Sequence, residues 1–230
     1  MADEVLLLHM DGPDNGVTFI DETGKIVSTA GNVCTKTGQK KFGTASAYFD
    51  GTGDYLTIGS STDFAFGTGD FTIDGWIYPT IVNENSGGIF SSMLTGYSGY
   101  GLMLRVSGLT IQSFTGAGAG VYITLPPYTL PSANSWYHIA IVRFGNTLYL
   151  YVNGIMRSSI SCLGMNLTNT GAVIGSSYVD INTYIFTGYI DELRVSKGIA
   201  QWTANFTPPI APYQLGAPVP ETSQAYCFVY

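Results

Sequence analysis

The sequence predicts an all-β protein, an antiparallel two-sheet β-sandwich of the jelly-roll kind. Helical periodicity is almost absent. Short runs rich in Val, Ile, Thr, Tyr and Phe recur at near-even spacing between clusters of Gly, Asn, Asp, Ser and Pro, which is how strands and their turns read. Some runs are also apolar on both faces: Trp136, His138, Ala140 and Val142 alternate with Tyr137, Ile139 and Ile141. Such a strand belongs in the middle of one of two packed sheets, because a sheet with one wet face has no use for it.

The elements follow in order. Residues 4–10 (EVLLLHM) are a strand closed by the turn-rich DGPDNG. Residues 45–49 and 55–58 flank FDGTGD, whose Asp and Gly suit a turn better than a cation loop or a phosphate cradle. Residues 71–78, 88–93, 100–107 and 109–114 come next, with Ser107-Gly108 turning between the last two. Residues 121–125 stop before two prolines, which cannot donate to a ladder. Residues 136–143 and 147–152 are joined by Gly145-Asn146, a two-residue hairpin turn of positive-φ residues. Residues 156–160, 172–175 and 185–195 complete the set. These strands make residues 1–206 one unit. From Thr207 the chain changes character: Pro208, Pro209, Pro212, Pro218 and Pro220 make residues 207–230 an extended strap or tail. Its apolar end, AYCFVY, either lies back on the sandwich or docks Tyr226, Phe228 and Tyr230 on a neighbouring chain.

One stretch poses a physical problem. Strict alternation along residues 185–195 puts Tyr189, Asp191, Leu193 and Val195 on one face and Ile190, Glu192 and Arg194 on the other. A carboxylate in line with Leu193 and Val195 needs a partner, since burying an unpaired charge costs several kcal/mol. Asp11 emerges from the first strand in the same way, with His9 and Asp11 on the face of Leu7. Pairing of the first and last strands would bring Asp11 and Asp191 together, where they repel unless a proton or cation intervenes. Two readings stand. Either a calcium ion collects both carboxylates and carbonyls from the Gly-rich loop, or a hydrogen-bond network closes around them.

Composition narrows the function. Charged residues are 11% of the chain, against roughly 25% in ordinary soluble domains, so Ser, Thr, Asn, Gly and Tyr must cover the surface. That suits adhesion modules and subunits of an assembly. The net charge is −7 and the nine basic residues are scattered, so the electrostatic footprint of a nucleic-acid partner is missing. The acidic balance favours cations. Cys34, Cys162 and Cys227 cannot all pair within one chain and read as free thiols. The opening MADEVLLLHMDG lacks a basic segment and its apolar run is too short for a secretion signal, which implies synthesis in a cytoplasm. No stretch approaches the ~20 apolar residues of a membrane span, so membrane insertion is not expected.

The order of five stretches resembles a known family. ASAYFDGTGDYLTIG, FGTGDFTIDGWIYPT, WYHIAIVRFGNTLYLYVNG, GAVIGSS and FTGYIDELRVSKGIAQWTANFTPP together resemble the laminin G-like, concanavalin A-like lectin/glucanase domains, in the form found in tailed-phage virion proteins. The resemblance runs from about Leu6 to Pro209. It implies two large antiparallel sheets, one of them concave, in a binding or structural module, with one structural calcium whose carboxylates match Asp11 and Asp191. Taken with the missing signal, the free cysteines, the low charge and the apolar strap after Pro209, it leads to the expectation of a virion protein made in the host cytoplasm: a capsid-decoration, tail or fibre component that meets other virion proteins and forms a homo-oligomer.

Catalysis lacks its residues. Retaining glycosidases need two carboxylates about 5–5.5 Å apart, and those on this fold carry an E-x-D-x-E type of run that is missing here. Asp191 and Glu192 are adjacent and so point to opposite faces, Glu84 stands alone, and His9 and His138 each sit within an apolar strand. The expectation is a non-enzyme. The alternative to a purely structural role is a glycan-binding module acting on cell-surface sugars. Tyr97, Tyr100, Tyr178 and Tyr184 would supply stacking faces, with Tyr128 a further candidate and Asp180 and Asn182 as polar partners. Trp76 and Trp136 are expected in the core.

Overall fold

A computed structural model of the chain describes residues 4–80, 87–92, 102–107, 110–116, 122–177 and 184–216. In chain order its strands are β1 (Glu4–Leu8), β2 (Val27–Ala30), β3 (Cys34–Lys36), β4 (Ser46–Asp50), β5 (Tyr55–Ile58), β6 (Phe71–Pro79), β7 (Gly88–Ser91) and β8 (Leu102–Ser107). They continue with β9 (Thr110–Gly116), β10 (Tyr122–Thr124), β11 (Tyr128–Thr129), β12 (Tyr137–Phe144), β13 (Thr147–Val152), β14 (Ile155–Ser161), β15 (Ala172–Ile174) and β16 (Thr187–Lys197). One 3-10 turn, Thr62–Phe64, is the helical element among the described residues. The strands form two eight-stranded antiparallel sheets. The first runs β14-β13-β12-β6-β16-β4-β3, with β1 also on β16; the second runs β10-β9-β8-β7-β15-β5-β2, with β11 on β9. The all-β sandwich expected from the sequence is the fold of the protein.

The core lies between the sheets. Phe71, Ile73 and Ile77 of β6, Ile139 and Ile141 of β12, Leu148 and Leu150 of β13, and Leu6 and Leu8 of β1 pack there against Leu56, Phe90 and Ile174 of the second sheet. Turn chemistry behaves as the sequence requires: Phe144 pairs with Thr147 across Gly145, at φ 56°.

Strand β16 overturns the expected alternation. Its first half, Thr187–Ile190, pairs with β4, while Leu193–Ser196 pairs with β1 along the same edge. On the other edge the register against β6 slips, so that Asp191 lies opposite Trp76 and Arg194 opposite Asp74. Two residues thus oppose the single Gly75, which is a β-bulge. Glu192 takes up the slack at φ 51°, a left-handed conformation uncommon for a side chain of its kind. The bulge inverts parity. Ile190, Leu193 and Val195 all reach the core, whereas Tyr189, Asp191 and Arg194 share the outer face. Asp191 is buried as expected, but not in line with Leu193 and Val195.

The outer face of the first sheet is itself covered. Beyond Gly198 the chain crosses it and packs Trp202 and Phe206 on Ala140, Val142 and Tyr151. The two aromatic rings stack at 3.8 Å, nearly parallel. This covering explains why β12 is apolar on both faces. It is pinned at the β13–β14 turn, where the Phe206 N–H donates to the Gly154 carbonyl at 2.8 Å. Gly154 has φ 74°, and a Cβ there would lie 1.9 Å from the Phe206 oxygen. Phe206→Ala is expected to cost about 3 kcal/mol, within the range for deleting a buried aromatic side chain that packs on Trp202, Tyr151 and His138; a urea titration followed by circular dichroism measures it.

Candidate functional site

Among the described residues, two clusters of ionisable side chains lie on that outer face, one fully buried and one that opens to solvent at Asp11, which follows β1 and is exposed. The first is centred on Asp74 of β6, which alternation turns away from the core. Arg194 meets it bidentately, Nε donating to Oδ1 at 3.0 Å and Nη2 to Oδ2 at 3.1 Å. The Tyr213 hydroxyl donates to the same Oδ2. His138 places Nε2 3.3 Å from Asp74 Oδ2 and 3.0 Å from the Tyr213 oxygen. Burial works to raise the Asp74 carboxyl, but the Arg194 guanidinium and His138 outweigh it and hold the group below the usual carboxylate range. Burial lowers His138, which stays neutral. Tyr213 is pushed well up by burial and by Asp74 beside it.

The same segment is held a second time at the bulge. Glu192 Oε2 accepts the Tyr213 N–H at 2.9 Å, and both carboxylate oxygens lie 2.9 Å from His9 Nδ1. The hydrogen bond to Glu192 raises the His9 pKa. Strained backbone at Glu192 therefore carries a buried carboxylate that ties the first strand to the covering segment. Adjacent Asp191 and Glu192 therefore do not point to opposite faces: the bulge breaks the alternation, and Asp191 turns to the 41–45 loop while Glu192 turns to His9 and the Tyr213 N–H on the same outer side.

The second cluster contains the carboxylates singled out from the sequence. Pairing of β1 with β16 brings Asp11 and Asp191 to one loop, residues 41–45, from opposite ends. Asp191 Oδ2 accepts the N–H groups of Lys41 at 2.7 Å and Phe42 at 3.1 Å. Asp11 Oδ1 accepts the Thr44 N–H, the Thr44 hydroxyl at 2.8 Å and the Ala45 N–H at 3.1 Å. Gly43, at φ 56°, keeps this cradle open, because a Cβ there would lie 2.3 Å from Asp11 Oδ1. The network is present but not closed. Asp191 Oδ1 is buried without a hydrogen-bond partner. Burial, with Glu192 and Asp11 nearby, pushes the Asp191 carboxyl up to about 7 despite its two backbone donors. Lys41 stands close by, its ammonium 3.9 Å from the Trp76 ring centroid.

That orphaned oxygen is the one feature here that fits a metal, since it is a hard donor with nothing to bind. Asp11 would be its partner carboxylate, and a calcium ion would neutralise both. Among the described residues no group of three or more His, Cys, Asp or Glu side chains is gathered for a metal.

Of the tyrosines proposed for glycans, Tyr184 is half-buried with the Arg105 guanidinium 5.1 Å from its ring centroid. Tyr128 packs on the core and carries Arg157 at 4.5 Å. Tyr97, Tyr100, Tyr178, Asp180 and Asn182 lie outside the described residues, as do Tyr226, Phe228 and Tyr230. Cys34 and Cys162 are free thiols. Trp76 is buried, on the outer face, whereas Trp136 is not a core residue: it is half-exposed just ahead of β12, where alternation turns it outward. Sequence reasoning missed Asp74, Arg194 and Tyr213. The available signal was an Asp on an otherwise uncharged strand, FTIDGWIY, and one Arg on its neighbour.

The comparisons agree with this architecture. The profile described as concanavalin A-like lectin/glucanases superfamily (Laminin_G_3) matches residues 50–201, about two thirds of the chain. A search of curated proteins returned no match. Among solved structures, the receptor binding domain of botulinum neurotoxin D superposes with a TM-score of 0.66 at 15% identity, covering 86% of this chain and 50% of that one. The binding domain of botulinum neurotoxin DC in complex with SialylT gives 0.63 at 13%, covering 86% and 48%. The same domain in complex with rat synaptotagmin II gives 0.62 at 13%, covering 86% and 49%. The chain spans about half the length of these structures, and at such identities they speak for the fold alone. The strand order, the two packed sheets and the profile match lead to one conclusion: the chain belongs to the concanavalin A-like lectin/glucanases superfamily.

Proposed function

We propose that the chain is a non-enzymatic structural and adhesion module of a tailed-phage virion. It would be made in the host cytoplasm and assembled as a homo-oligomer with other virion proteins, with Tyr226, Phe228 and Tyr230 as docking residues. The observation that carries the non-enzymatic part is the fate of the ionisable groups on the first sheet. Asp74, His138, Asp191 and Glu192 are all buried and held by partners within the fold, so none is placed to meet a substrate. The order of motifs and the low charge support the virion setting.

A glycan-binding role is the second reading. It is favoured by the half-buried Tyr184 with Arg105 beside it, and by the occurrence of a SialylT complex on the same fold. A structural calcium on Asp11 and Asp191 belongs to either reading, supported by the orphaned oxygen of Asp191.

Two measurements test the proposal. Incubation with soluble glucans, galactomannans and xylans is expected to release no reducing ends; steady release would overturn the non-enzymatic reading. Size-exclusion chromatography with light scattering is expected to give a mass above the 24.6 kDa chain. A monomer that stays monomeric beside purified virion components would overturn the assembly.

A further inference from the structure

Among the described residues, part of the outer face of the first sheet is not covered. One residue row beyond Asp191 and Trp76, the cross-strand partners are Tyr48 of β4, Tyr189 of β16 and Tyr78 of β6. Trp136 stands next in line, one residue before the Tyr137–Ile77 pair. The four rings form a continuous row. Tyr48 and Tyr189 are 4.9 Å apart between centroids, Tyr189 and Tyr78 5.7 Å, and Tyr78 and Trp136 5.4 Å. All four residues are half-buried. Among the described residues no hydrogen bond ties up the hydroxyl of Tyr48, Tyr78 or Tyr189. Elsewhere on this face the fold spends aromatic rings on sealing, as Trp202 and Phe206 do over β12 and β13.

The geometry points to this row as a binding platform for a neutral, hydroxyl-rich polysaccharide. The inference rests on reading the chain as a binding module. Pyranose C–H faces stack on aromatic rings while hydroxyls bond the phenolic edges. These rings stand close to one strand separation, about 4.8 Å, apart. They are turned 38°, 79° and 59° to one another along the row, so they offer alternating faces and phenolic edges to an extended sugar chain rather than a flat shelf. Charge selects the class, since the row contains no ionised side chain. The nearest anion on β4, Asp50, accepts from Asn32, and the chain as a whole is acidic. One row away the Lys41 ammonium, 3.9 Å from the Trp76 ring centroid, interacts with the Asp191 carboxyl, so the flanking charges are paired and the row favours neither a polyanion nor a polycation. Area argues against a second protein copy. An aromatic side chain carries roughly 150–250 Å² in all, so four half-buried ones offer a few hundred at most, against the roughly 800 Å² per partner of a stable protein interface. A narrow ligand fits.

The test is affinity electrophoresis of the full chain in native gels containing laminarin, dextran, galactomannan, hydroxyethylcellulose or heparin. The wild type is compared with Tyr78→Ala, Tyr78→Leu, Tyr189→Ala and Trp136→Ala. At least one neutral polysaccharide is expected to retard the wild type. Tyr78→Ala, which breaks the row at its centre, is expected to weaken that retardation about tenfold in dissociation constant, equal to about 1.4 kcal/mol. Tyr78→Leu keeps an apolar side chain on β6 and removes the ring; it must bind as weakly as Tyr78→Ala while melting like the wild type. Three results would overturn the platform: no retardation by any neutral gel, retardation by heparin alone, or retardation untouched in all four variants. Each leaves the non-enzymatic reading standing, because that reading fails only on release of reducing ends.

Discussion

Asp74→Ala is expected to cost about 3–5 kcal/mol of folding stability, the range for a buried ion pair that loses one partner. The large value follows from what remains. Arg194 is 4% exposed and charged at every accessible pH. Without Asp74 its remaining carboxylate neighbour is Glu4, at 4.0 Å. Its guanidinium would stay trapped beneath the Tyr213 ring, 4.1 Å from the centroid. The Tyr213 hydroxyl and His138 Nε2 would each lose Asp74 as well and keep only their contact with one another. The double variant Asp74→Ala/Arg194→Met removes both charges and keeps an apolar stem, and is expected to recover most of the loss. Urea unfolding at pH 7 of the wild type, both single variants and the double variant measures the effect. A single-variant cost under about 1 kcal/mol would mean that the pair is open to solvent.

The second large effect is a pH dependence centred on Asp191. Its carboxyl sits at about 7 in the folded protein, against an unperturbed value of 3.8. Below pH 4 folded and unfolded chains are both protonated there and the group has no influence. Between pH 4 and 7 the unfolded chain loses its proton while the folded chain retains it, so stability falls as pH rises and levels off above 7. At about 1.36 kcal/mol per unit, the loss in calcium-free buffer reaches up to about 4 kcal/mol. The His9–Glu192 pair adds a loss of the same sign above pH 6.5, because a raised histidine stabilises the fold only while protonated. Asp191→Asn isolates the carboxyl. It keeps an acceptor for the Lys41 and Phe42 N–H groups, and it is expected to flatten the profile between pH 4 and 7 and to exceed the wild type at pH 8. Calcium reverses the comparison if it binds. The wild type then gains stability with metal concentration and the Asn variant does not. Thermal melts from pH 4 to 8, with chelator and with millimolar calcium, separate a proton from a cation.

Much of the fold was legible in the sequence because it rests on local rules. Strands β5 and β13 occupy the residues expected of them, and the Gly145-Asn146 turn joins β12 to β13. Strands β2, β3 and β11 were not expected. They are two to four residues long, and β2 is an edge strand mostly exposed, so neither length nor alternation marks them. The candidate site was legible in part. Asp11 and Asp191 do meet one loop, since pairing of the first and last strands could be inferred. The face of Asp191 could not, because a one-residue slip inverts every side chain after it. Nothing local to IDELR announces that β16 changes partner there from β4 to β1. Trp136 was misjudged for a related reason: the covering segment seals His138, Ala140 and Val142 of its strand but stops short of its own row. Which part of a sheet face is covered depends on contacts across more than 60 residues, such as His138 with Tyr213.

The central claim is that, among the described residues, one part of this outer face is sealed while the row through Trp136 keeps partial access to solvent. Acrylamide quenching of the three tryptophans tests it directly, because Trp76 and Trp202 are each 6% exposed while Trp136 is half-exposed. The account predicts a single quenchable tryptophan, abolished by Trp136→Phe. Two or three quenchable indoles in the wild type, or an accessible fraction that survives Trp136→Phe, would contradict it.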